Sequence, residues 1–240
     1  KQLLDRLLQT YSYASILMTD SKGKQYSISK QGIYISENMF VELGYVVKVY
    51  DGESYGEYAF SHIDENEIDN IVEEVKNHVM PWAHRLPEGM NVKQYPAIPD
   101  EKYNFEKSTE YEISPDELGD EEIVKRLSAV REKALAQDEK IVEVQTGCVY
   151  QIYHKLFLSP NKDMTQNVMW TTGMMMGLIP KGEEMKMAFD SCSGCGGMEL
   201  TDGLETKIPQ LVQKLNDLAA SEPITPGEYD CICAPDVTGM

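Results

Sequence analysis

The chain has 240 residues, 42% of them hydrophobic and 26% charged, the make-up of a water-soluble globular protein with one large core or two small ones. Its formal net charge of -18 sets nucleic acid aside as a direct partner, because phosphate binding rests on clustered Lys and Arg that this sequence does not show. No apolar run is long enough for a membrane span and Lys1 to Leu8 is no signal peptide, while five cysteines, odd in number, argue against a secreted disulfide framework and for the cytoplasm.

Leu3, Leu4, Leu7 and Leu8 repeat at helical spacing and predict a short opening helix. From Tyr13 to Tyr58 the period becomes that of strands, with Ile16 to Thr19 apolar, Tyr26 and Ile28 alternating with polar neighbours, and Tyr45 to Tyr50 rich in β-formers. Asp51-Gly52 between two such runs predicts a hairpin. Asp64, with Glu67 three residues on, can cap a helix whose apolar stripe is Ile68, Ile71, Val72, Val75 and Val79, and Pro81 is expected to stop it. The proline-spaced stretch from Pro81 to Pro115 reads as a surface connection. A helix from Pro115 or Asp120 to Ala136 would bury Ile123, Leu127, Val130 and Ala134.

A meander of long strands follows from Ile141 to Asp190, divided by the turn clusters Ser159 to Asp163 and Pro180 to Gly182. Thr206 is placed to cap a last helix with Pro209 in its first turn, and Tyr229 to Cys233 reads as one more strand. The sum is an α+β fold with largely antiparallel or mixed sheet flanked by helices. It divides into an N-terminal α/β subdomain (1–80), a connecting loop (81–115), a helix-plus-meander subdomain (116–222) and the start of a further domain (223–240). Because the chain opens without Met and stops soon after a predicted strand, both ends are expected to lie inside a longer protein.

Chemistry-bearing motifs are sparse. Cys192-Ser193-Gly194-Cys195 has CxxC spacing, and Cys231 and Cys233 could supply two more thiolates for an all-cysteine zinc site or a redox module, whereas the bland reading is a glycine-rich turn that carries cysteines. Gly194, Gly196 and Gly197 match no phosphate-loop motif and are candidates for a tight turn or for close approach of a substrate backbone. The four histidines include no HExxH, and no Ser, His and Asp stand out as a triad, so no catalytic residue is assigned. Met164, Met169, Met174, Met175, Met176, Met185 and Met187 read as core filling or, beside an open sheet edge, as a peptide-accepting surface.

Three stretches taken in order resemble the TldD/PmbA family, known as modulators of DNA gyrase and containing zinc-dependent peptidases. They are Leu43 to Gly52 with Tyr55 to Phe60, then Phe189-Asp190-Ser191 with Gly194, Gly196, Gly197, Met198 and Glu199, and finally Pro226 to Asp230 running through Ala234 to Gly239. In that family the last segment leads into a helix bearing HExxxH, so the resemblance implies that any zinc lies beyond Met240 and that this stretch holds no cofactor of its own. It further implies a substrate-enclosing and subunit-contact region of a peptidase, inactive alone, that meets peptide or unfolded protein segments and forms a homo- or hetero-dimer. A non-catalytic partner subunit of the same family is the first alternative, and the cysteine-based metal or redox module is the second. The cysteines at 192 and 195 depart from the glycine loop that the resemblance leads one to expect.

Overall fold

In the computed structural model, which describes residues 1–37, 42–85 and 96–234, three long strands form the frame: β1 (Tyr13–Ser29), β6 (Glu143–Leu158) and β7 (Lys162–Lys181). They pair antiparallel in the order β1-β6-β7, with Ile16 opposite Leu158, Cys148 opposite Gly173, and a turn at Ser159 to Asn161. Each outer flank is shared by two shorter strands. β3 (Leu43–Tyr50) lies along the first half of β1 and β2 (Gly32–Glu37) along its second half, with β4 (Tyr55–Phe60) outside β3. Beyond β7, β5 (Tyr103–Ser108) pairs with its first half and β8 (Glu184–Cys195) with its second. The eight strands form one sheet, antiparallel except for the β5-β7 pair, so residues from 1–80 and from 116–222 share it. The α+β class expected from the strand and helix periods is what the chain forms.

The helices among the described residues pack on one face of this sheet. α1 (Gln2–Leu7) and α2 (Ile68–Glu74) cover one end, burying Leu3, Leu7 and Ile71 against Ala14, Ile16, Val47 and Val49. α4 (Pro115–Leu135) and α5 (Gly203–Ala220) cover the other, where Ile123, Leu127, Leu204, Leu211 and Leu215 meet Tyr26, Cys148, Met175 and Ile179. Their apolar residues recur every three or four positions, which is why each helix presents one buried stripe. Gly177 on β7 lets α5 come close, since a Cβ there would stand 2.5 Å from Leu215 Cδ1.

Several local expectations change. Asp64 Oδ1 accepts from the amides of Asn66 and Glu67 and so closes the turn before α2 rather than capping the helix directly. Pro81 does not stop that helix: a π-turn at Val75–Val79 widens the backbone, and α3 (Met80–Ala83) carries the proline. The 81–115 connection contains β5, which the prolines on either side obscured. α5 starts at Gly203, so Pro209 stands inside it and Thr206 is not its cap. Tyr229 to Cys233 forms no strand and is exposed. The last part of the third resemblance stretch, 235–240, lies outside the described residues. No helix among the described residues is long and apolar enough to cross a membrane.

Candidate functional site

Between the two cores the helix-bearing face turns polar. The inward series of β6 runs Val144, Thr146, Cys148, Tyr150, Ile152, is broken by His154, and resumes with Leu156 and Leu158. Register aligns His154 with Asp20 on β1 and Asn167 on β7, and Asn167 in turn with Ser108 on β5. Asn167 Nδ2 donates to Ser108 Oγ at 3.0 Å, which leaves its Oδ1 to accept from His154 Nδ1 at 2.8 Å. The network therefore places a proton on Nδ1, and Nε2 has no hydrogen-bond partner among the described residues.

His154 lines a cavity of about 320 Å³, walled also by Lys22, Tyr111, Ser114, Asp116 and Ile152. Lys22 Nζ stands 3.6 Å from Asp116 Oδ2, both more than half exposed, so the pair adds little stability and leaves the ammonium free to turn toward a ligand. An oriented imidazole beside a lysine and hydroxyls can accept a hydrogen bond or pass a proton.

The glycines at 194, 196 and 197 do not open onto this cavity; two of them hold up its wall. The Gly196 amide donates to Met169 O, the Gly197 amide to Glu199 Oε1 at 2.6 Å, and the Met198 amide to Ile113 O. Glu199 Oε2 accepts from the Ile113 amide at 3.0 Å, tying residues 109–113 to the loop. Burial by itself would push the Glu199 carboxyl up, but the surrounding backbone amides of Gly197, Glu199, Ile113 and Glu112 hold it below the usual range. A Cβ at Gly197 would meet Ile113 O at 2.2 Å. The loop is glycine because backbone meets backbone there, and its amides at 196 to 198 are already spent. Gly194 sits within β8 beside Leu200.

The cysteines are not brought together. In an extended strand residues three apart point to opposite faces: Cys192 is half-buried under α5 with Sγ 3.0 Å from Leu200 O, whereas Cys195 is exposed across from Trp170. Burial pushes the Cys192 thiol up and that of Cys148 up to about 12, so both stay protonated and unreactive at neutral pH. Cys231 and Cys233 are exposed in the tail after α5. Among the described residues no three His, Cys, Asp or Glu side chains stand close enough to hold a metal ion.

Neither a protein-family model nor a curated protein sequence matches the chain. Solved structures do. A protein of Thermotoga maritima provisionally named a modulator of DNA gyrase superposes with a TM-score of 0.68 at 14% identity over 94% of this chain. TldE from Thermococcus kodakarensis gives 0.65 at 15% over 90%. A second provisionally named gyrase modulator, from Bacteroides thetaiotaomicron, gives 0.63 at 17% over 89%. The chain has the TldD/PmbA-type fold. At these identities the likeness establishes the fold alone, and the chain spans about half the length of each neighbour, 50%, 46% and 48% in turn. The resemblance carried by the three sequence stretches thus holds at the level of fold. Sequence reading missed the His154 row. Its signal was the polar break in β6's inward apolar series, and its loss to view came from partners spread over three other strands.

Proposed function

We propose that this chain is the substrate-enclosing and subunit-contact region of a cytoplasmic TldD/PmbA-like metallopeptidase and hydrolyses nothing by itself. The observation that supports it most is coverage: nine-tenths of the chain superposes on about half of each solved neighbour, so the likeness accounts for this stretch nearly whole and leaves as much again unmatched. In this reading the zinc-bearing HExxxH helix belongs to the remainder of the parent. The residues here act by shape, the His154 cavity and its buttressed wall offering one place to orient a bound peptide or unfolded segment.

The family resemblance leaves a second reading, in which the parent is a non-catalytic partner subunit of the same family. The cysteine module finds no support in the placement of Cys192 and Cys195. Reading the adjoining coding sequence and measuring zinc in the purified full-length product separates these. An HExxxH stretch with about one zinc per chain and chelator-sensitive peptide cleavage is expected. Its absence, with no cleavage, removes the enzyme and leaves the partner subunit. Zinc bound by residues 1–240 and lost on Cys192→Ser would overturn both.

A further inference from the structure

The opposite face of the sheet carries no helix among the described residues, and its composition differs from that of the rest of the chain. On β8 the side chains that point there are Met185, Met187, Phe189, Ser191, Ser193 and Cys195; beside them on β7 stand Trp170, Thr172, Met174, Met176, Leu178 and Pro180. These twelve neighbouring positions hold no charge. Phe189 is 66% exposed, Met187 55% and Trp170 44%, so large apolar side chains on neighbouring strands stand together in contact with water. Of the acids among the described residues, register puts only two at strand positions of this face: Glu57, held by Lys48, and Glu143, which is 5% exposed and whose carboxylate is drawn to the sheet's end by Arg131 of α4 and the Lys30 amide. Lys155 and Lys107 flank Gln166 in one cross-strand row of the same face. Neither has a carboxylate within ion-pair distance among the described residues; each ammonium lies over a ring instead, Lys155 at 5.3 Å from that of Tyr153 and Lys107 at 5.6 Å from that of Phe105.

We infer that this bare face is a docking surface for a polypeptide whose apolar side chains cover the methionine and aromatic strip and whose carboxylates meet Lys155 and Lys107. Charge complementarity selects the occupant. Apolar contact supplies the attraction, the adaptable methionines tolerate varied side chains, and the two free ammonium groups favour carboxylates over lysines opposite them. The remaining acids among the described residues lie on helices, loops and the other face, and at physiological salt their repulsion is screened beyond about 8 Å.

Addition of the partner as a further strand is not part of this inference. At Phe189 to Ser191 the edge of β8 is occupied by side chains of the protein itself: Asp190 Oδ1 accepts from the Ser191 amide and Lys214 Nζ donates to Phe189 O. The partner lies on the face.

Trp170 reports the test. In a Trp82→Phe background, two synthetic twelve-residue peptides with the same alternate leucines and valines, one with glutamates between them and one with lysines, are titrated while Trp170 emission and acrylamide quenching are followed. The glutamate peptide is expected to shield Trp170 and to bind at least tenfold more tightly than the lysine peptide. Lys107→Glu with Lys155→Glu should reverse that preference, and Met187→Ser with Phe189→Ser should weaken both peptides. Shielding by neither peptide, or by both alike, overturns the inference, as does shielding that appears without peptide together with self-association in the ultracentrifuge, which would make a second copy the occupant. Failure here leaves the reading of the parent as a peptidase untouched, and the lack of a metal motif in the parent leaves this face untouched.

Discussion

The two faces of the sheet are built from the same strands and differ in almost every respect that bears on stability. On the helix-bearing face, Val47, Val49, Cys148, Met175 and Ile179 are inaccessible or nearly so, and the apolar residues of α1, α2, α4 and α5 are matched to them. On the other, residues of equal hydrophobicity and only one position away in sequence stay in contact with water. Strand alternation makes both faces from one stretch of chain, so hydrophobic content cannot say which face stabilises the fold and which is kept for a partner. Only the helices decide that.

The comparison is tested hardest where the packing is closest. Leu211→Ala should remove a side chain held between α5 and the sheet at 0% exposure and cost about 3 kcal/mol in equilibrium unfolding; a loss under 1 kcal/mol would mean that α5 is not fixed to this face. Gly197→Ala should cost about 2 kcal/mol, because its Cβ would be driven against Ile113 O and backbone must move. It should also loosen residues 109–113, visible as faster amide exchange there, whereas Gly182→Ala, in an open turn, should leave that segment alone.

Asp190 sharpens the comparison at the edge where the faces meet. It is 5% exposed and bonded by Lys207 and Lys214 at 2.8 and 2.9 Å. Burial alone would raise its carboxyl, but the two lysines outweigh it and hold the group below the ordinary range. A folded-state value below the unfolded one means stability that is present above about pH 4 and is lost as pH falls through the lower folded value. Asp190→Asn should therefore cost about 1 kcal/mol at pH 7, the lysines being part-exposed, and the gap to the unsubstituted chain should close as pH falls through the lowered folded-state value. A gap unchanged with pH would show that the lysines do not act on it.

Much of this was legible in the sequence, for reasons that particular residues make plain. Leu204, Ile208, Leu211 and Leu215 announce α5 because helical spacing is local, and Asp51-Gly52 announces its hairpin because a turn involves only its neighbours. The wrong expectations were also local rules overridden by partners distant in sequence. Pro81 stops no helix because a π-turn precedes it, and β5 exists because residues 103–108 meet β7 some sixty positions on. The candidate site was the least legible part. CxxC suggested proximity that an extended strand cancels, and the glycines suggested a ligand cradle where the approaching group proved to be the chain's own Ile113. His154 gained meaning only through register with Asn167 and Ser108, which spacing along one strand cannot supply.

The smallest expected effect is the most informative about the bare face. Phe189 is the most exposed large side chain of its strand, so its burial on folding is slight even though it is the largest apolar group there. If no part of the chain covers it, Phe189→Ala forfeits only a cross-strand contact with Met176 and should change unfolding stability by less than about 0.5 kcal/mol. A loss near 2 kcal/mol would mean that something in the 240 residues packs over it, and the face would then belong to the core. A negligible loss, measured beside the large one at Leu211, would leave phenylalanine at this position without a folding role, and a residue so costly to expose is then explained by what docks on it.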